Sequence, residues 1–231
     1  ASFLNAVNLN PALPGSWAML ERLYTMIGNA ADARAAAAHT AILAKLPPEV
    51  VTATSMYYDD DLEPAERLVR AFLLKHGNQV EAMRLLGRIA LKRDVLDDAE
   101  LLLSAVLELE PGYRAARFDY ATALMRRQRH QVALVELDRL CSDEPGNRTY
   151  RTNYATACVG LGRHEQALAT YRELLRSGSP NEELQMSIGH CLKTLGDTPA
   201  AILAYRAALG VRPNFGDAYW SLANLKTYRF T

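Results

Sequence analysis

The sequence predicts an all-α chain folded as a right-handed superhelical solenoid of antiparallel helix pairs, and three observations carry that expectation. Ala65, Ala99, Ala133, Ala167 and Ala201 each stand 34 residues from the next. Pro111, Pro145 and Pro213 recur in the same register, where a residue without an amide proton ends a helix. Between these marks, small and large residues alternate at fixed offsets. If the alanines are position 20 of a repeat, position 8 is Gly87, Ala121, Ala155 and Gly189, and position 24 is Leu103, Leu137, Tyr171 and Tyr205. Small residues at positions 8 and 20 let two helices approach to about 8–10 Å.

The elements follow in order. Phe3, Ala6 and Pro11 match the end of a partial repeat over residues 1–11. A first full repeat spans residues 14–45, with Pro14, Trp17, Leu20, Tyr24, Gly28 and Ala33; its alanine lies 32 residues before Ala65, so the register slips by two there. The repeat over residues 46–79 is the weakest, because Val50, Val51, Thr52 and Thr54 are mediocre helix formers. Pro47 and Pro48 suit a helix start. The acidic turn Asp59-Asp60-Asp61 suits the N-terminus of the next helix better than a metal, since adjacent side chains do not converge on one ion. Regular repeats follow over residues 80–113, 114–147, 148–181 and 182–215, and a final helix over residues 216–229 carries Tyr219, Leu222 and Ala223. Breaks between paired helices are expected near Gly28, Asp60, Asp94, Gln128, Gly162 and Gly196. Helices of about 12–14 residues are marginal alone, so stability must come from stacking along the array.

Composition excludes several function classes. Formal net charge is zero, with 49% hydrophobic and 23% charged residues. No global field draws the chain to nucleic acid or an anionic membrane, and no partner of either kind is expected. No run of about 18 apolar residues suggests a membrane span, and the N-terminal ten residues lack the basic start of a secretory signal. Cys141, Cys158 and Cys191 make neither a metal spacing nor a disulfide set, which fits a reducing, cytoplasmic setting. No phosphate loop, dinucleotide fingerprint, zinc-protease motif or nucleophile elbow occurs. No catalytic, cofactor-binding or metal residue is therefore assigned.

With its 34-residue period and residues at these offsets, almost the whole chain resembles tetratricopeptide-repeat (TPR) proteins. A narrower resemblance lies in Tyr150 to Gly162 and in the stretch Arg212-Pro213-Asn214-Phe215-Gly216-Asp217-Ala218-Tyr219-Trp220-Ser221-Leu222-Ala223-Asn224-Leu225-Lys226-Thr227-Tyr228-Arg229-Phe230. Both are similar to the N-terminal repeat region of bacterial TPR-sulfotransferases. That resemblance implies a catalytic domain after Thr231 that uses 3′-phosphoadenosine-5′-phosphosulfate, with no affinity for the donor in this chain itself. Neither end reads as a polar cap, which is why structure continuing beyond Thr231 is expected. The function this implies is a protein- or peptide-binding scaffold serving a covalently linked C-terminal domain. The alternative is a free-standing adaptor that assembles a complex.

In this architecture the first helix of each repeat lines a concave groove, and positions 2, 5, 9 and 12 share the groove face. Arg84, Arg88 and the adjacent Lys92 form a basic row, with Arg126 one repeat on; Phe118, Met125, Met186 and Trp220 offer apolar anchors. Thr152, His190, Asn224 and Thr227 supply polar groove positions. Arginine, methionine and aromatic residues are what interface cores favour, and an acidic or tyrosine-containing peptide suits this set. Arg84 and Arg88 are expected to face solvent in the free protein. The lysine–asparagine carboxylate clamp of chaperone-binding repeats is matched by none of the corresponding pairs, from Ala18/Arg22 to Met186/His190.

Overall fold

The computed structural model describes residues 2–225. Fourteen α-helices and no strand occur among them: α1 (Ser2–Leu9), α2 (Pro14–Met26), α3 (Ala30–Ala44), α4 (Pro48–Tyr58), α5 (Leu62–His76), α6 (Val80–Lys92), α7 (Leu96–Leu109), α8 (Arg114–Arg126), α9 (His130–Asp143), α10 (Arg148–Gly160), α11 (His164–Arg176), α12 (Glu182–Thr194), α13 (Thr198–Val211) and α14 (Gly216–Ala223). The weak segment after Leu46 does form a helix, started by Pro48 in its first turn. The last helix stops at Ala223, with Asn224 as its C-cap; Lys226 to Phe230, including the groove position Thr227, lie outside the described residues. No helix among the described residues is long and apolar enough to cross a membrane.

One turn is repeated through the chain. Its central residue is Gly28, Asp60, Asp94, Gln128, Gly162 or Gly196, and all six have positive φ, between 60° and 87°. The following amide reaches back five residues: Asn29 to Tyr24, Asp61 to Met56, Val95 to Ala90, Arg129 to Leu124, Arg163 to Cys158 and Asp197 to Leu192, at 2.8–2.9 Å. This is the Schellman ending, which satisfies carbonyls a helix would leave orphaned. Glycine takes the left-handed conformation without a Cβ clash, whereas aspartate and glutamine accept a modest cost. The tight reversal lays each helix antiparallel on the next.

The chain divides within α8, after Tyr120, into two compact units. In the first, α2 packs on α3, α4 on α5 and α6 on α7, with α1 against α2 and α5 against α6. In the second, each helix from α9 to α14 packs on its neighbour in sequence. The alanines at position 20 sit where the packing is tightest: Ala65, Ala99, Ala133, Ala167 and Ala201 are all 0% exposed. Ala33 holds the corresponding place after the first turn but is only half-buried, and Ala36 is the buried alanine of α3. A Cβ on Gly87 would stand 2.8 Å from Leu103 Cγ, and one on Gly189 would stand 2.4 Å from Tyr205 Cε1. The small residue at position 8 is thus the complement of the large one at position 24.

Candidate functional site

Arg84, Arg88 and Lys92 occupy successive turns of α6, as the helical spacing requires. They are not bare cations on a solvated face. Arg84 donates from Nε to Asp119 Oδ2 at 2.7 Å and from Nη1 to the Tyr113 hydroxyl at 3.0 Å. Tyr113 in turn donates to Glu81 Oε2 at 2.6 Å. The Arg84 and Asp119 side chains are 21% and 16% exposed, so the expectation that Arg84 faces solvent is corrected. Its long side chain folds along the groove wall because a half-buried carboxylate is within reach. Burial opposes its charge, but Asp119 and Tyr113 outweigh that and hold its pKa above the ordinary arginine value. Burial, then the bond to Glu81, pushes the Tyr113 hydroxyl up to about 12.

Arg88 is partly covered as well, in a different way. Its guanidinium carbon lies 4.5 Å from the ring centroid of Tyr57 and 5.5 Å from that of Tyr58. Nη2 stands 3.4 Å from the Tyr58 hydroxyl, a long hydrogen bond. Burial opposes its charge, yet the Tyr58 hydroxyl and neighbouring groups hold its pKa above the ordinary value. Lys92 is exposed, pairs with Asp60 at 2.7 Å and lies over the Tyr57 ring at 4.9 Å. The acidic turn is therefore spoken for: Asp60 holds Lys92, and Asp59 accepts from the buried Asn10 at 3.0 Å.

Arg84 and Arg88 line a cavity of about 380 Å³ in the first unit. Glu81 and Tyr113 line it beside Arg84, Tyr58 contributes to it with Arg88, and Ile42, Leu43, Leu46 and Val50 are among its aliphatic lining. A cavity of this size, mostly apolar with a few convergent polar groups, has the character of a ligand site.

Sequence reading missed several residues that build this cavity. Asn10 donates from one amide nitrogen to Ser55 O, Ser55 Oγ and Asp59 Oδ1, at 3.1, 2.8 and 3.0 Å, and its oxygen accepts from the Ala12 amide. Trp17 donates from Nε1 to Pro11 O at 2.8 Å and stacks on His39 at 4.1 Å. Together they fix Pro11 and Ala12, which form part of the cavity lining. A lone asparagine in a short helix–turn segment gives no signal of this in sequence.

The other predicted site residues do not line this cavity. Phe118 is half-buried in the first unit. In the second unit Met125 is half-buried and Arg126 exposed. The half-buried Thr152 accepts from Thr156 Oγ1 at 3.0 Å, and Thr156 meets the Tyr171 hydroxyl at 3.1 Å. Met186 is a correction: at 6% exposure it belongs to the core, because a flexible apolar side chain gains more by turning into the helix pair than by lining a wet groove. His190 Nδ1 is bonded to the Tyr205 hydroxyl at 3.0 Å. Trp220 is 70% exposed, and Asn224 donates to its carbonyl at 2.9 Å. Cys158 and Cys191 are buried, and burial pushes both thiols up.

Helix pairs closed by one repeated turn define a TPR-type fold, and in its first unit α3, α4 and α6 contribute side chains to the cavity. Residues 61–198, more than half the chain, match the model of the bacterial transcriptional activator domain, and the chain belongs to that family. Residues 182–215 match a tetratricopeptide repeat. Among solved structures the fold is similar to YrrB, described as a TPR protein with an unusual peptide-binding site, at 14% identity and a TM-score of 0.67, covering 75% of this chain and 90% of that one. It is also similar to MamA AMB-1, at 17% identity and a TM-score of 0.67, covering 72% and 99%. MamA from Desulfovibrio magneticus RS-1 matches at 13% identity and a TM-score of 0.68, covering 73% and 98%. These likenesses concern the fold. No curated protein matches the chain.

Proposed function

We propose that the chain binds an extended peptide segment of a partner protein in the groove of its first unit. The observation that carries this reading is the cavity itself, which an aliphatic wall shares with Arg88, an arginine held by tyrosine rings and a tyrosine hydroxyl and in no ion pair among the described residues. The peptide-binding site named for YrrB supports it by analogy of fold. The partner segment is acidic or tyrosine-containing, and the setting is cytoplasmic. To test this, randomised octapeptides are selected on the immobilised protein and the enriched peptides measured by fluorescence anisotropy. Ile42 is 57% exposed, so Ile42→Glu leaves the fold intact while placing a charge on the apolar wall; it should weaken binding about tenfold or more. Peptides that bind equally to the variant would move the site elsewhere.

Two settings for this module are proposed. The family match over residues 61–198 supports a transcription-activator-like role, in which partner binding is one input to a regulator. The resemblance of residues 212–230 supports the alternative, an array serving a covalently linked sulfotransferase domain that uses 3′-phosphoadenosine-5′-phosphosulfate. The coding sequence past Thr231 separates them, and a stop codon there would favour the free-standing adaptor.

A further inference from the structure

Which peptide the groove takes is a question that rests on the peptide-binding reading, and the two arginines answer it differently. Arg84 turns Nε and Nη1 to resident groups, Asp119 and Tyr113, and its charge is already met by the Asp119 carboxylate. Arg88 is held by tyrosines: two ring faces at 4.5 and 5.5 Å and one long bond to a hydroxyl. An aromatic face fixes a cation through its quadrupole without consuming N–H donors, and a guanidinium carries five of them. Arg88 is therefore oriented and charged, with donors left for an incoming group.

The rest of the cavity sets what that group is attached to. Ile42, Leu43, Leu46 and Val50 give it an aliphatic wall. Glu81 carries negative charge beside Tyr113 and repels an acid there. Asp119, the acid that does bear on Arg88, is paired with Arg84. An acidic ligand group thus finds one favourable seat, at Arg88.

We propose that Arg88 is the acid-reading residue of the groove, and that its ligand is a peptide in which an aspartate or glutamate docks on Arg88 while a neighbouring aliphatic side chain lies against Ile42, Leu43 and Leu46. Arg84 is a positioning residue that keeps Asp119 neutralised and Tyr113 in place. A tyrosine-containing peptide without an acid would offer Arg88 only neutral acceptors, which make weaker bonds than a carboxylate.

The octapeptide selection tests this on the whole chain. The enriched pool should pair Asp or Glu with Leu, Ile or Met. Changing the acid of the best binder to its amide should weaken binding about tenfold or more, because a charge-assisted bond becomes a neutral one. Arg88→Gln should weaken the acidic peptide by a similar factor and abolish the preference for acid over amide. Arg88→Lys should retain part of it, keeping the charge but losing the planar fork. Added salt should weaken wild-type binding. Unchanged melting curves for both variants keep these readings free of folding effects. An acid-free pool that is still sensitive to Ile42→Glu overturns the role of Arg88 and leaves the groove standing. So does a preference for acid that survives Arg88→Gln. A pool insensitive to both changes, or no enrichment at all, removes the groove reading and this inference with it.

Discussion

In α6 of the first unit, positions 5 and 9 of the repeat are Arg84 and Arg88, whose side chains leave their own helix to meet Asp119 and Tyr113 in one case and Tyr57 and Tyr58 in the other. In α10 and α12 of the second unit the same positions are Thr152 and Thr156, and Met186 and His190. There the polar side chains at position 9 are satisfied within their own helix pairs. Thr156 meets the Tyr171 hydroxyl, His190 meets that of Tyr205, and Met186 is buried. Position 24 explains the difference: it supplies a tyrosine hydroxyl to position 9 in α11 and α13, whereas in α7 it is Leu103, which offers no polar partner to Arg88. One backbone thus carries both a closed repeat and an open one. Reach and polarity at three positions decide which.

The packing half of that comparison should yield the largest effect. A Cβ on Gly189 meets the ring of the fully buried Tyr205 at 2.4 Å, while a Cβ on Gly87 meets Leu103 Cγ at 2.8 Å. Gly189→Ala should cost about 1–3 kcal/mol by overpacking, and Gly87→Ala less, because a leucine yields more readily than a ring. Urea melts of both variants check this. Equal costs would mean that the tyrosine at position 24 does not tighten the second unit.

Next in size is the ion pair of the first unit. Arg84→Ala leaves the Asp119 carboxylate unpaired at 16% exposure, which should cost about 1–2 kcal/mol after allowing for the water that still reaches it. Thr152→Val, at the same repeat position in the second unit, should cost under about 0.5 kcal/mol, as an ordinary surface substitution. A double-mutant cycle with Asp119→Asn isolates the pair. If Arg84→Ala and Thr152→Val cost the same, Arg84 is no more structural than a groove threonine.

Much of this fold was legible because steric demands repeat. Only small residues fit where helices close at positions 8 and 20, so Ala65 through Ala201 and Gly87 through Gly189 mark the period on their own. Even the turns at Asp60, Asp94 and Gln128 were located by spacing, although no glycine flags them. The site was less legible. Helical periodicity put Arg84 and Arg88 on one face, but their partners come from 29 to 35 residues away. Which rotamer a long side chain adopts depends on acids and rings that no local pattern encodes. Met186 was misread for the converse reason: periodicity gives a face, and only packing decides whether an apolar residue at its edge turns inward.

The smallest effect concerns charge at position 9, where Arg88 stays cationic and His190 does not. Burial first, then the nearby Lys193, lower the pKa of His190 below its ordinary 6.5, with Asp217 pulling the other way. The folded state therefore binds this proton less readily than the unfolded one. The stability His190 contributes is present above about pH 6.5 and is lost as pH falls through its folded pKa. Lys193→Ala should move the His190 titration up towards the ordinary value, and Asp217→Asn should move it further down. Tyr205→Phe should cost at most about 1 kcal/mol, one net hydrogen bond. Following the imidazole Cε1 proton by NMR against pH gives each shift directly. A wild-type midpoint at or above 6.5 would show that His190 is neither desolvated nor sensitive to Lys193. The second unit would then carry a cation at position 9 under mildly acidic conditions, and the contrast with Arg88 would be one of degree.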